Sequence, residues 1–288
     1  MITLKKETEI SGNGLMKNKP CTVRLVPSEG GKIRYFVKGF EPFEASVDNV
    51  LSTKNYVTLG KGKAKAMLTE HLSAAMAFCG INSLDIYMSE EELPILDGSA
   101  QKWVELLQKA GIDRPLHEKP QYYTVSEPVY YLNGKTSLVI LPDDELNITY
   151  SVNYDHPDLI NRWVSVNINR PSDYAAFKPF KEIIEARTFG FYKDLRKFQA
   201  LGLARGAALD NTVGLLDNGY TTELRSPLEP VKHKILDLIG DLYLTGVNPL
   251  NLKAQILVKE AGHAVHIKAA KMLEGKLIAL TTSKRRQT

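Results

Sequence analysis

Only two cysteines, Cys21 and Cys79, occur among the 288 residues. Two thiols can build neither a disulfide framework nor a four-thiolate metal site, so they suit a reducing compartment as small buried hydrophobes. No run of about 18 consecutive apolar residues is present, which argues against a membrane-spanning helix. The stretch "MITLKKETEI" lacks the apolar core of a secretory signal. These absences point to a soluble chain in the cytoplasm. A large excess of one charge sign is missing too: 37 basic residues face 33 acidic ones, a net charge of +4. Much of that surplus sits in "TTSKRRQT" at the C-terminal end. Nucleic acid is therefore not an expected partner, whereas a mildly basic surface suits an anionic substrate. Low-complexity segments are absent, and the two halves share no repeat that the sequence reveals.

What is present is an ordinary globular composition, 43% hydrophobic and 24% charged, able to bury a sizeable core. The runs "CTVRLVP", "KIRYFVKGF" and "EASVDNVL" alternate as strands do, between Gly and Pro turns. "AKAMLTEHLSAAMAFCGI" spaces Leu68, Leu72, Ala75, Met76 and Cys79 helically, and Gly80 ends it. "LDIYMS" reads as a strand, and Ser99 as the N-cap of a helix that stops at Gly111. A Pro-rich polar passage follows, then the strands "TSLVILP" and "ELNITYSVNY", a helix at 177–186, and a mixed segment up to Gly219. "LEPVKHKILDLIGDLYLTG" has the look of an amphipathic helix, and "KAQILVKEAGHAVHIKAAKMLEG" supplies a strand, a turn and a last helix. Each half runs strands, helices, strands, which predicts an α+β fold with two domains, residues 1–115 and 127–288, and a linker at 116–126.

The chemistry concentrates on a few side chains. His233 and Asp237 stand four apart on one helix, so both can reach a single point about 2 Å from each, as a zinc ion requires. A third donor must come from elsewhere, and His71 after Glu70 and His263 after Gly262 stand out. His117, His156 and His266 sit in a linker, a turn and a polar helix face, and read as surface residues. Taken alone, a His-x-x-x-Asp pair is more often a satisfied side-chain pair than a metal site, and Asp241 more often a solvated helix residue.

The order and spacing of "TEHLSAAMAFCGI", "LPILDGSA", "EARTFGF", "LEPVKHKILDLIGDLYLTG" and "GHAVHIK" resemble the signature segments of the UDP-3-O-acyl-N-acetylglucosamine deacetylases. These are zinc amidases that commit precursors to lipid A. The resemblance runs over nearly the whole chain. It implies two related domains, each a sheet layered against helices, with the active site at their interface. By the same resemblance His71, His233 and Asp237 are the metal ligands and Glu70 the general base. Thr188 stabilises the oxyanion, and His263, oriented by Asp241, supplies the proton to the leaving amine. Lys234 and Phe189 match substrate-binding positions, and Leu195, Phe198, Leu201, Leu203 and Val213 match an apolar passage for the acyl chain.

The expected cofactor is one Zn2+ per chain, with Fe2+ the alternative ion in the cell. The expected substrate is a UDP-linked acylated amino sugar, and the expected assembly a monomer. The second readings are deacetylation of another N-acetyl sugar conjugate and non-catalytic sugar-nucleotide binding. The chain departs from the family pattern at three places: Met16 stands where histidine is usual, Ala207 and Ala208 replace "GS", and Glu260 replaces a basic residue. All three bear on how the nucleotide and sugar are held.

Overall fold

The computed structural model describes residues 1–115, 120–168 and 178–280. Phe177 and His117 therefore lie outside the described residues. Strand alternation builds the first sheet: Cys21, Val23 and Leu25 of Pro20–Pro27 turn inward, as do Ile33, Tyr35 and Val37 of Ile33–Val37. Its five strands lie in the spatial order Thr8–Asn13, Pro20–Pro27, Leu84–Met88, Ile33–Val37, Phe43–Glu44. Every pairing is antiparallel except that of Ile33–Val37 with Leu84–Met88. Helix α1 (Glu70–Cys79) precedes Leu84–Met88 and α2 (Gln101–Ala110) follows it. Gly80 closes α1 in the left-handed conformation, φ 72°, where a Cβ would be strained.

The second half repeats that plan. Its strand order is Val129–Asn133, Thr136–Pro142, Ala254–Lys259, Leu146–Val152, Arg162–Ile168, and only Leu146–Val152 with Ala254–Lys259 is parallel. Before Ala254–Lys259 come α3 (Lys178–Ile184), α4 (Tyr192–Ala200) and α5 (Glu229–Leu242), and after it comes α6 (His263–Leu273). Taken in chain order, both sheets thus run first, second, fifth, third, fourth. Helix α5 matches α1 in place, and α6 matches α2. The sequence hides this repeat because the plan requires apolar alternation and helical spacing, not particular residues. Each half also carries an insertion: an antiparallel sheet of Val50–Ser52, Thr58–Lys61 and Ala64–Met67 in the first, and the parallel pair Thr188–Phe191 with Thr212–Leu215 in the second.

Some expectations change. "EASVDNVL" is not one strand, because a 3-10 turn at Val47–Asn49 buries Val47 and breaks it. Helix α2 begins at Gln101, whose N–H donates to the Ser99 hydroxyl at 3.1 Å, so the capping bond comes from one residue before the cap position. Tyr122–Val125, within the polar passage, pairs antiparallel with Leu277–Leu280.

Helices α1 and α5 lie side by side at the centre. Every residue of both is buried, so the amphipathic reading of the His233 helix is corrected. With the second sheet, α1, α3 and α6 around it, α5 has no solvent face, and its charged residues are paired instead. The close approach has a specific cause. A Cβ on Gly240 would sit 2.1 Å from the Glu70 carbonyl oxygen, so glycine is required there although it costs a helix interior about 1 kcal/mol against alanine. The buried apolar side chains of both halves form one continuous cluster.

Candidate active site

Each central helix is entered through a leucine in the left-handed region, Leu68 at φ 65° and Leu228 at φ 55°. That conformation is uncommon outside glycine and persists only where neighbours impose it. Leu68 is held by its N–H donating to the Val57 carbonyl at 3.0 Å. At the start of α5 the buried Glu229 carboxylate accepts from the backbone N–H groups of Arg187 (2.9 Å) and Arg225 (2.8 Å) and from Arg187 Nε (2.9 Å). These sharp entries bring Glu70 and His71 opposite His233 and Asp237.

The four face a cavity of about 420 Å³, also lined by Leu15, Thr188, Phe189, Lys234 and His263. One ligand-type atom from each of His71, His233 and Asp237 lies within 4.8 Å of the other two. The imidazoles of His71 and His233 meet edge to face, centroids 5.0 Å apart. His233 Nδ1 donates to the Ala186 carbonyl at 2.9 Å, which leaves the lone pair on Nε2. That Nε2 stands 3.3 Å from Asp237 Oδ1. Among the described residues, Asp237 Oδ1 and His71 Nδ1 are buried without a hydrogen-bond partner, and such groups carry a desolvation cost that a cation would offset.

Burial and the neighbouring His233 push His71 down to about 3, so its ring is neutral. His233 is lowered by burial. Asp237 is held well below the carboxylate range despite burial, chiefly by Lys234, whose ammonium donates to Oδ2 at 2.5 Å. Two neutral imidazoles and one carboxylate, at one cavity wall, fit a divalent metal.

The other titratable groups sit beside this donor set. Burial raises Glu70 to about 7, and its Oε2 accepts from the Val57 N–H at 3.1 Å. His263 Nε2 lies 3.8 Å from Glu70 Oε1 and 3.8 Å from Asp237 Oδ2. Burial opposes charge on His263, but the carboxylates of Asp241 and Asp237 overcome it and push the imidazole up to about 9. His263 Nδ1 donates to Asp241 Oδ2 at 2.7 Å. Asp241, His263 and His266 also bring donor-type atoms within 4.8 Å. Both imidazole Nδ1 atoms there hydrogen-bond to the one Asp241 oxygen, at 2.7 and 2.8 Å, so their lone pairs are not offered to a metal.

The structure brings Glu70, His71, Thr188, Phe189, His233, Lys234, Asp237 and His263 to this one cavity. Asp241 stands directly behind His263. Leu195, Phe198, Leu203 and Val213 are not among the lining residues: Val213 is buried in its strand opposite Phe189, and Phe198, Leu201 and Leu203 are exposed on and after α4. The surface reading of two histidines is corrected. His156 is buried against Tyr220, with Nε2 2.9 Å from the Gly219 carbonyl. His266 is buried between Asp241 and Tyr150. Each found polar partners inside the fold that a local reading of the sequence does not reveal. The Ala186 carbonyl that fixes the His233 tautomer was equally invisible, since a backbone acceptor leaves no side-chain signature. Tyr154, another lining residue, packs edge to face on Phe189.

Comparison with known proteins decides the affiliation. The family model described as UDP-3-O-acyl N-acetylglycosamine deacetylase matches residues 2–274. The chain belongs to that family. Among the deacetylase's relatives named UDP-3-O-acyl-N-acetylglucosamine deacetylase, one from Leptospira biflexa is 38% identical over 94% of this chain and 88% of its own length. Another from Chlamydia pneumoniae is 37% identical, covering 94% of this chain and 95% of the relative. A third from Trichormus variabilis is 34% identical, covering 94% and 97%.

The three departures of this deacetylase from its family's pattern lie outside the donor set. The Met16 and Lys17 N–H groups donate to the buried Glu92 carboxylate at 2.6 and 3.0 Å. The Leu15 and Met16 carbonyls accept from Gly206 and Arg205, which ties the two loops together. Gly206 is needed there because a Cβ would sit 2.2 Å from the Gly14 carbonyl oxygen. The Ala208 N–H donates to Asn211 Oδ1 at 2.9 Å. Glu260 adopts φ 49° and is pinned through its N–H to the Ser151 carbonyl at 2.9 Å.

Proposed function

We propose that the chain hydrolyses the N-acetyl group of UDP-3-O-(3-hydroxyacyl)-N-acetylglucosamine, releasing acetate and the free amine, a step of lipid A biosynthesis. The proposed metal is zinc, held by His71, His233 and Asp237, with Fe2+ the alternative ion. The observation that carries this reading is the shared cavity of that donor set with a carboxyl raised to about 7 and an imidazole raised to about 9. When bound, the metal acts as a Lewis acid on the acetamide carbonyl and brings the pKa of water towards neutrality.

The side chains handle the protons. Glu70 accepts one from the attacking water, a task suited to a base whose pKa lies near the working pH. His263 enters the reaction protonated and gives its Nε2 proton to the departing nitrogen, because an amine leaves poorly as an anion. Asp241 keeps that imidazole charged and oriented through Nδ1. The Thr188 hydroxyl donates to the oxygen that becomes negative as the carbonyl carbon turns tetrahedral. Lys234 contacts the sugar side of the substrate, and Phe189 is a further substrate contact. Leu195, Phe198, Leu203 and Val213 remain proposed for the acyl passage on the resemblance alone. Residues 1–115 and 127–288 form the two domains, and the enzyme works as a cytoplasmic monomer.

The test is acetate release by purified protein of known metal content, from the UDP-linked acylated sugar and from UDP-N-acetylglucosamine. The expected result is about one zinc per chain and turnover that depends on the acyl chain. No acetate release from the acylated substrate by metal-loaded protein would end the proposal. Equal turnover of both substrates would shift it to another N-acetyl sugar conjugate.

A further inference from the structure

We propose that His266 is a positioning residue for the deacetylation, acting through Asp241 on His263. Helix α6 places the two histidines three residues apart, and both Nδ1 atoms converge on one oxygen, Asp241 Oδ2, at 2.7 and 2.8 Å. A carboxylate oxygen only accepts, so each Nδ1 carries a proton. The other oxygen, Oδ1, is buried without a hydrogen-bond partner among the described residues. His263 and His266 are thus the side chains that fix the carboxylate plane.

The terminal torsion of an aspartate is broad when little restrains it. With His263 as its one donor, Asp241 could turn with that ring. A second donor, from a ring inclined 77° to the first, removes this freedom. His266 is itself anchored on its far side. Its Nε2, the unprotonated nitrogen of a ring that burial keeps neutral, accepts from the Tyr150 hydroxyl at 2.9 Å. The same hydroxyl lies 2.8 Å from the Ala261 carbonyl, so the two acceptors share its one proton. Ala261 is two residues before His263, so the contacts close a ring: His263, Asp241, His266, Tyr150, Ala261 and back to His263. Asp241, His266 and Tyr150 are each fully buried, where hydrogen bonds are electrostatically stronger than in water. The ring fixes the His263 Nε2 that stands 3.8 Å from Glu70 Oε1.

The inference rests on His263 being the acid of the proposed reaction, and three variants test it. The amide nitrogen of asparagine occupies the position of imidazole Nδ1, and the terminal amide of glutamine, turned to present its oxygen as acceptor, the position of Nε2. His266→Asn therefore keeps the donor to Asp241, whereas His266→Gln keeps the link to Tyr150 and loses that donor. His266→Leu loses both. The expected result is kcat within about twofold of the parent for His266→Asn, and about tenfold lower or more for the other two. KM and metal content should stay unchanged, with rates normalised to the folded fraction. A parental kcat in His266→Gln, or a His266→Asn as slow as His266→Gln, would overturn the proposal. The Asn and Gln pair decides the matter even if His266→Leu does not fold. His263→Ala serves as the control. Full activity there would remove the acid assignment itself, whereas an inactive His263→Ala beside a fully active His266→Gln would remove only the role of His266.

Discussion

The Glu70 and Asp237 carboxylates are equally buried, and their different tasks predict different phenotypes. Glu70→Ala should lower kcat by about 10²–10⁴-fold, the usual contribution of a general base, while metal content stays at the parental value. Asp237→Ala should lose both metal and turnover, since a donor rather than a proton acceptor is removed. Metal analysis beside kinetics separates the two, and full zinc in Asp237→Ala would disqualify that residue as a ligand. The rate should also be bell-shaped in pH. Glu70, raised to about 7 by burial, must be ionised, so activity climbs as pH rises through its pKa. His263, raised to about 9, must be protonated, so activity falls as pH rises through its pKa. A bound dication favours the deprotonated form of both and moves each limb to lower pH. A flat kcat/KM between pH 5 and 9 would contradict the acid and base pair.

At the level of elements, the shape of the site depends on how closely α1 and α5 can approach. In an ordinary helix Gly240→Ala would add about 1 kcal/mol of stability. Here the methyl group would meet the Glu70 carbonyl oxygen, and overpacking of this kind costs about 1–3 kcal/mol. The variant should melt below the parent and lose activity as Glu70 and His71 are displaced; a more stable variant would refute the contact.

The entry to α5 has its own weak point. Burial raises the pKa of Glu229, but the hydrogen bonds from Arg187 outweigh it and the net shift is downward. The stabilisation from that pair is therefore complete above the ordinary carboxylate pKa of about 4.3 and disappears as pH falls through the lower folded value. Glu229→Gln should cost about 3–5 kcal/mol at neutral pH, because it leaves Arg187 buried without its charge partner. Urea midpoints would show this, and the gap between the two proteins should narrow in acid.

The elements also show what could be read in advance. Strand alternation, the glycine stops after α1 and α2, and the His233–Asp237 spacing are local signals, and they pointed to the strands and to two of the three candidate donors. His71 is proposed as a ligand on the resemblance to a family, since an isolated Glu-His pair carries no local signal. His266 was misread because its partners come from Asp241 and Tyr150, 25 and 116 residues away in sequence. The encasement of α5 was missed for a related reason. A helix with charges on several faces looks solvated until the surrounding elements that pair with those charges are known.

At the scale of the whole molecule, two sheet-and-helix halves with the same strand order meet through α1 and α5, and each contributes to the donor set. Their apolar interiors merge into one cluster, so the halves should unfold together. Thermal melts are expected to show one transition, and added metal should raise its midpoint. Saturation at 100 times Kd stabilises by about 2.7 kcal/mol if the unfolded chain does not bind. Two transitions, with metal affecting neither, would contradict a site shared between the halves.

A common interior also restricts how the enzyme can breathe. Opening the molecule like a clamshell would tear apolar contacts along its full width. Admission of the sugar nucleotide and escape of acetate must then rely on small local movements at the rim, where Leu15, Thr53 and Asn55 stand. Small-angle scattering curves recorded with and without a tight-binding substrate analogue should superimpose.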